Sequence, residues 1–129
     1  MHPNEELLRR QDELVSKGDI EGMFDTVTDD VVAHVSGQSQ LAGDYIGKER
    51  NKEVFQRYLA ALGDDAKLET HAILADDEHG VVLQTARVTK GDRSAEIMTV
   101  NIFHFRGGKV SELWTMDYDQ HEADEFYRA

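Results

Sequence analysis

Apolar residues recur at helical spacing through the first part of the chain. Leu7, Leu8, Leu14 and Val15 form the stripe of a first helix, with Asn4 placed to cap it and Glu5 and Glu6 in a first turn whose dipole favours acids. Gly18-Asp19 ends that helix, and Asp19 caps a second, lined on one side by Ile20, Met23, Phe24 and Val27. Thr28-Asp29-Asp30 reads as its close, and Val31 to Val35 as a short strand. A loop rich in glycine, serine and glutamine runs from Ser36 to Gly47. A third helix follows from about Lys48 to Leu62, with Val54, Phe55, Tyr58, Leu59 and Leu62 on one face and Gly63 at its C-terminal cap.

The texture then changes. Lys67 to Ala75, Gly80 to Thr89, Ser94 to Phe105 and Lys109 to Tyr118 read as strands, separated by the turns Asp76-Asp77-Glu78-His79, Lys90-Gly91-Asp92-Arg93 and Arg106-Gly107-Gly108. Turns this short require antiparallel neighbours, because a parallel crossover needs a dozen or more residues. Asp119, with Glu122 at capping-box spacing, opens a last short helix carrying Ala123, Phe126 and Tyr127. Helices followed by a meander predict an α+β domain: a curved antiparallel sheet wrapped as a cone over three N-terminal helices, with a short C-terminal helix. Such a cone does not fill perfectly, and its open end is the natural place for a pocket.

Composition narrows the classes. The 129 residues fit a single domain spanning 1–129, and 40% hydrophobic content supplies its core. There is no cysteine, which excludes disulfides and cysteine-held metal and makes a reducing cytoplasm the expected compartment. No apolar run reaches bilayer length, and the charged start Met1-His2-Pro3-Asn4-Glu5-Glu6 gives no support for a signal peptide, so no membrane partner is expected. The net charge of −12, with 14 basic residues scattered among 26 acids, argues against nucleic acid and serves solubility. No two histidines lie two, three or four residues apart, and Asp76-Asp77-Glu78 reads as a solvated turn, so neither metal nor cofactor is implied.

Several polar residues fall on apolar faces. Gln11 sits beside the stripe of the first helix, either facing a wet cavity or marking the stripe's edge. Alternation pairs His34 with Val32 on one face of its strand and Val31, Ala33 and Val35 on the other, leaving open which is inner. Asn101 shares a face with Ile97, Thr99, Phe103 and Phe105, and the phenylalanines argue that this face is the inner one. The opposite face of Met98, Val100, Ile102 and His104 is also apolar, as a dimer interface would be. Asp117 shares its face with Leu113 and Thr115. A carboxyl partly buried in an apolar cone has its pKa raised, which suits proton transfer. Asp119 competes with it but is explained more simply as a helix cap. Tyr45 is a candidate donor at the pocket mouth, Phe55 a candidate wall, His71 a residue of either pocket or surface, and Trp114 a packing residue at an interface or against the helices.

The order of elements, together with Gly18-Asp19-Ile20-Glu21-Gly22-Met23-Phe24, Asp30-Val31-Val32-Ala33-His34-Val35-Ser36-Gly37, Leu41-Ala42-Gly43-Asp44-Tyr45-Ile46-Gly47, the stretch Phe103 to Trp114 and the tail Asp119 to Phe126, resembles the SnoaL-like polyketide cyclase and ketosteroid isomerase superfamily, whose cone is shared with the nuclear transport factor 2 family. The resemblance covers nearly the whole chain. It implies that His34, three residues before Gly37, points into the pocket where steroid isomerases hold their aspartate base. Gln11 and Asn101 match the two oxyanion-hole positions, as different side chains. Asp117 is the nearest match to the acid/base of SnoaL-type cyclases. A base at His34, an acid or orienting partner at Asp117, and Gln11 and Asn101 as stabilisers then describe a cofactor-independent isomerase or cyclase. Its substrate would be a small apolar carbonyl compound. The alternatives are a ligand-binding domain without catalysis and a homodimeric interaction domain. A homodimer is expected in either case.

Overall fold

In a computed structural model, which describes residues 1–128, the chain runs through α1 (Pro3–Ser16), α2 (Ile20–Phe24), β1 (Val27–Val35), β2 (Gly43–Ile46), α3 (Lys48–Leu62), β3 (Lys67–Ala75), β4 (His79–Lys90), β5 (Arg93–Arg106), β6 (Lys109–Asp117) and α4 (Gln120–Arg128). The strands form one sheet in the order β2-β1-β6-β5-β4-β3. The meander from β3 to β6 is antiparallel throughout, as its short turns require. The one parallel ladder joins β1 to β6, and the whole stretch from β2 through β5 separates those strands in sequence.

The departures from the sequence reading are local. His2, not Asn4, caps α1: Pro3 occupies the first turn, and the His2 ring accepts from the Asn4 amide at 3.0 Å. The freed Asn4 side chain donates to the Asp76 carbonyl at 3.0 Å. Val27 is not part of α2 and Thr28-Asp29-Asp30 does not close that helix; all four lie in β1, whose pairing with β6 shifts register between Val27 and Val32. The loop from Ser36 to Gly47 contains the edge strand β2, paired with β1 from Val32↔Ile46 to Val35↔Gly43. A short edge strand with exposed residues has no buried face, so it carries no alternation to betray it.

The core falls into two clusters. One gathers Leu8, Met23, Phe24, Val31, Val82 and Phe103 between α1, α2 and the sheet. The other gathers Leu41, Val54, Leu62, Ala86, Ile97 and Phe126 between α3, α4 and the sheet. At Gly80, where α1 lies against β4, a Cβ would come within 2.6 Å of Leu8 and 2.8 Å of Phe105, so the close approach needs glycine. Helix α4 is capped by Asp119, whose carboxylate accepts from the Glu122 amide. It is tied to the loop after β1 by its buried Asp124, which accepts from the Gln38 amide at 2.9 Å.

Candidate functional site

Residues of both core clusters face a cavity of about 220 Å³ between the helices and the inner face of the sheet. Its wall is mostly apolar, with Phe24, Phe55, Val110 and Leu113 among the lining residues. The register of β5 on β6 builds its polar side. Thr99↔Asp117, Asn101↔Thr115 and Phe103↔Leu113 are directly opposed pairs on the inward face. The sheet surface therefore grades from a carboxyl and hydroxyl, through an amide and hydroxyl, to two hydrocarbons. Alternation alone places these six side chains.

Asp117 is the chemical focus. Its Oδ1 accepts from the Thr99 hydroxyl at 2.9 Å, and its Oδ2 accepts from the Tyr127 hydroxyl and the Gln120 amide, each at 3.3 Å. Burial pushes its pKa above the usual carboxylate value; the three hydrogen bonds hold it down only in part, and the charge of Asp124 adds to the rise. Tyr58 and Tyr127, which also line the cavity, are both raised, first by burial.

Two further hydrogen-bonded chains lie on the cavity wall. Asn101 donates to Gln84 Oε1 at 3.3 Å, Gln84 donates to Thr70 Oγ1 at 3.3 Å, and Thr70 donates to Asp12 at 2.6 Å. Across the cavity Gln11 donates to the Thr26 hydroxyl at 2.7 Å. Gln11, Phe55, Thr99, Asn101, Phe103, Leu113, Thr115 and Asp117 all line the hollow. Gln11 has no hydrogen bond to any of the sheet residues among them.

His34 does not. Val31, Ala33 and Val35 turn inward, so the alternate face carrying Val32 and His34 is the outer one. There His34 stacks on Trp114 at 5.2 Å and lies between two carboxylates, with Nδ1 at 2.7 Å from Asp44 and Nε2 at 2.6 Å from Glu112. Carboxylates only accept, so a ring bonded to both fits as the doubly protonated cation. The hydrogen bond to Glu112, then that to Asp44, raises its pKa. The expected His34–Asp117 pairing is therefore absent, since the two residues lie on opposite sides of the sheet. Tyr45 is also off the cavity, its hydroxyl donating to the Leu41 carbonyl at 2.7 Å. His71, next to a register shift in β3, bonds Thr85 on the outer face. Trp114 lies on that face as well, 4.8 Å from His104.

Gln84, Tyr58 and Tyr127 are among the polar lining residues that the sequence reading did not single out. Gln84 had a signal, being a polar residue in phase with Val82 and Ala86 on the inward face of β4. The tyrosines were placed on buried helix faces, but no helical spacing shows that their hydroxyls share a cavity with Asp117.

The fold and sequence have relatives. A family model described as a SnoaL-like domain matches residues 8–113. Bal32a from a soil-derived mobile gene cassette is 26% identical, with a TM-score of 0.89 over 98% of this chain and 97% of that one. An NTF2-like protein of unknown function from Burkholderia pseudomallei K96243 is 23% identical, with a TM-score of 0.85 and 100% of both chains covered. TerC, co-crystallised with polyporic acid, is 22% identical, with a TM-score of 0.84 over 99% of this chain and 100% of that one. No curated protein matches the sequence.

Proposed function

The chain belongs to the SnoaL-like domain family, and from that premise we propose that it takes a small, largely apolar molecule into its cone and moves a proton on it through Asp117, without a cofactor. The observation that carries this reading is a carboxyl with a raised pKa at the polar end of an otherwise apolar cavity. A pKa moved toward the working pH makes a carboxylate a better base and its acid a usable donor.

The step balances with groups in the cavity. The carboxylate of Asp117 takes a proton from a carbon next to a carbonyl, and the electron pair of that C–H bond moves to the carbonyl oxygen. Asn101 spends one N–H on Gln84 and keeps the other for that oxygen. The neutral acid then returns the proton to a different carbon, which is an isomerisation. His34 takes no part, because it is outside the cavity.

Turnover of model enolisable ketones, rising with pH as Asp117 ionises and lost in Asp117→Asn, is the expected result; undiminished turnover in that variant overturns the reading. One observation favours binding without catalysis. Asp117 already accepts three hydrogen bonds, two of them from Gln120 and Tyr127 of α4, so it also serves to hold that helix over the cavity.

Outside the cone, Met98 is 52% exposed and shares the outer sheet face with Val100, Ile102 and Trp114. We propose that this face pairs with a second copy of the chain. Solution mass tests it, and a strict monomer removes the proposal. The cysteine-free composition suits the reducing cytoplasm we propose as its compartment; no helix among the described residues is long and apolar enough to cross a membrane. Recovery outside the cytoplasmic fraction would overturn that assignment.

A further inference from the structure

The ionisable groups lining the cavity are Asp12, Asp117, Tyr58 and Tyr127. None of the chain's lysines, arginines or histidines is among the lining residues. Asp117 is only partly buried, yet a carboxylate drawn into an apolar wall without a counter-charge is poorly compensated, because a charge withdrawn from water is normally paired. Here the partners of Asp117 are all neutral: the hydroxyls of Thr99 and Tyr127 and the amide of Gln120. The same Gln120 amide nitrogen also donates to Asp124 at 3.1 Å, so one neutral group stands between two carboxylates. Asp124 is itself buried, and no salt bridge reaches either acid among the described residues.

From this we infer that the natural ligand carries a basic nitrogen: the cavity binds a small lipophilic amine, with its ammonium against Asp117 and its hydrocarbon among the aromatic walls. The inference rests on the pocket reading proposed above but not on the proton-transfer role of Asp117. Three features support it independently. An ammonium supplies the counter-charge that Asp117 lacks, and hydrogen bonds between two ionised partners are the strong kind. The rings of Phe24, Phe55, Tyr58 and Phe103 line the same space, and aromatic faces attract cations. The net charge of −12 gives the surface a potential that draws cations in and turns anions away. A carboxylate ligand would lose its hydration on entry, meet no cation, and stand before Asp117 and Asp12.

The volume of about 220 Å³ sets the scale of the probes. Phenylpropylamine, phenylpropanol and phenylpropionate share one hydrocarbon and differ in the charge of the head group. Calorimetric titration of the full chain at neutral pH is expected to rank them amine, alcohol, carboxylate, with at least about tenfold between the first two. As pH falls through the raised pKa of Asp117, the affinity for the amine should drop toward that for the alcohol, while the alcohol holds steady. Asp124, Tyr127 and Tyr58 are the other ionisable groups near that carboxyl. In Asp117→Asn the amine should lose its advantage and the alcohol should keep its affinity. If that variant does not fold, the pH series on the unaltered chain decides. Equal affinity for amine and alcohol, or a carboxylate that binds as well as the alcohol, overturns the charge inference and leaves the pocket standing. Binding of none of the probes overturns both.

Discussion

Asp117 and His34 both titrate above their ordinary values, for opposite reasons, on opposite faces of one sheet. Inside the cone, burial is the first cause, and it favours the neutral form of Asp117. On the outer face, two carboxylates are the cause, and they favour the charged form of His34. The inner group is one whose protonation state a bound molecule can change, because its partners are neutral donors. The outer group is locked, because Glu112 and Asp44 occupy both of its nitrogens. A raised pKa does not identify a site by itself; the cause of the rise separates a reactive group from a structural one.

That contrast can be broken at several places. The largest effects belong to packing. Phe126, 1% exposed in the second core cluster, should cost about 3–5 kcal/mol on truncation to alanine. Leu74, 61% exposed, should cost within about 0.5 kcal/mol in the monomer. Denaturant unfolding of the two variants measures both, and equal losses would mean that the outer face is not a free surface. Next comes chemistry: Asp117→Asn should lower turnover of a ketone substrate by roughly a hundredfold or more, whereas His34→Ala leaves it near that of the parent chain. Steady-state kinetics on both variants makes the comparison, and a large loss in His34→Ala would return the histidine to the site. Met98→Lys should then weaken self-association by roughly tenfold, without unfolding the protein, as read by sedimentation.

The smallest effects are in pH. The folded-state pKa of His34 is raised from 6.5, so its stabilising contribution is complete below that value and is lost as pH rises through the elevated one. The stability advantage of the parent chain over His34→Gln should follow the same course. It should amount to about 1 kcal/mol or less for a pair partly open to solvent. For Asp117 the raised value means that folding favours the neutral acid. Its contribution is complete below 3.8 and is lost as pH rises through the elevated value. Relative to Asp117→Asn, the parent chain should therefore lose stability over that interval. Chemical denaturation across a pH series reads both signs.

The same two residues show what was legible in the sequence. Asp117 lines the cavity because alternation in β6 puts it in phase with Leu113 and Thr115, and nothing interrupts that strand from Leu113 onward. His34 was placed inside by resemblance, although its own strand held contrary evidence: the opposite face carries three apolar residues and its own only Val32. The burial of that three-residue face follows from the ladders to β2 and β6, which are contacts distant in sequence. Helix α3 and strand β3 ended where their patterns end, at Leu62 and Ala75, because each buries a periodic face and stops at a turn. Strand β2 was invisible, since it is held by hydrogen bonds to β1 and buries no face of its own. Tyr127 reaches Asp117 only through the docking of α4, which no local pattern encodes.

Asp117 is a partly buried carboxyl at the polar end of the cavity proposed to admit a ligand. Isotope-edited carbon NMR of the aspartate carboxyls, assigned by the Asp117→Asn spectrum and titrated with and without phenylpropanol, tests it most directly. One carboxyl should titrate above 3.8, and its resonance should move when the alcohol binds. An Asp117 signal that titrates at or below 3.8 and ignores the alcohol would contradict it.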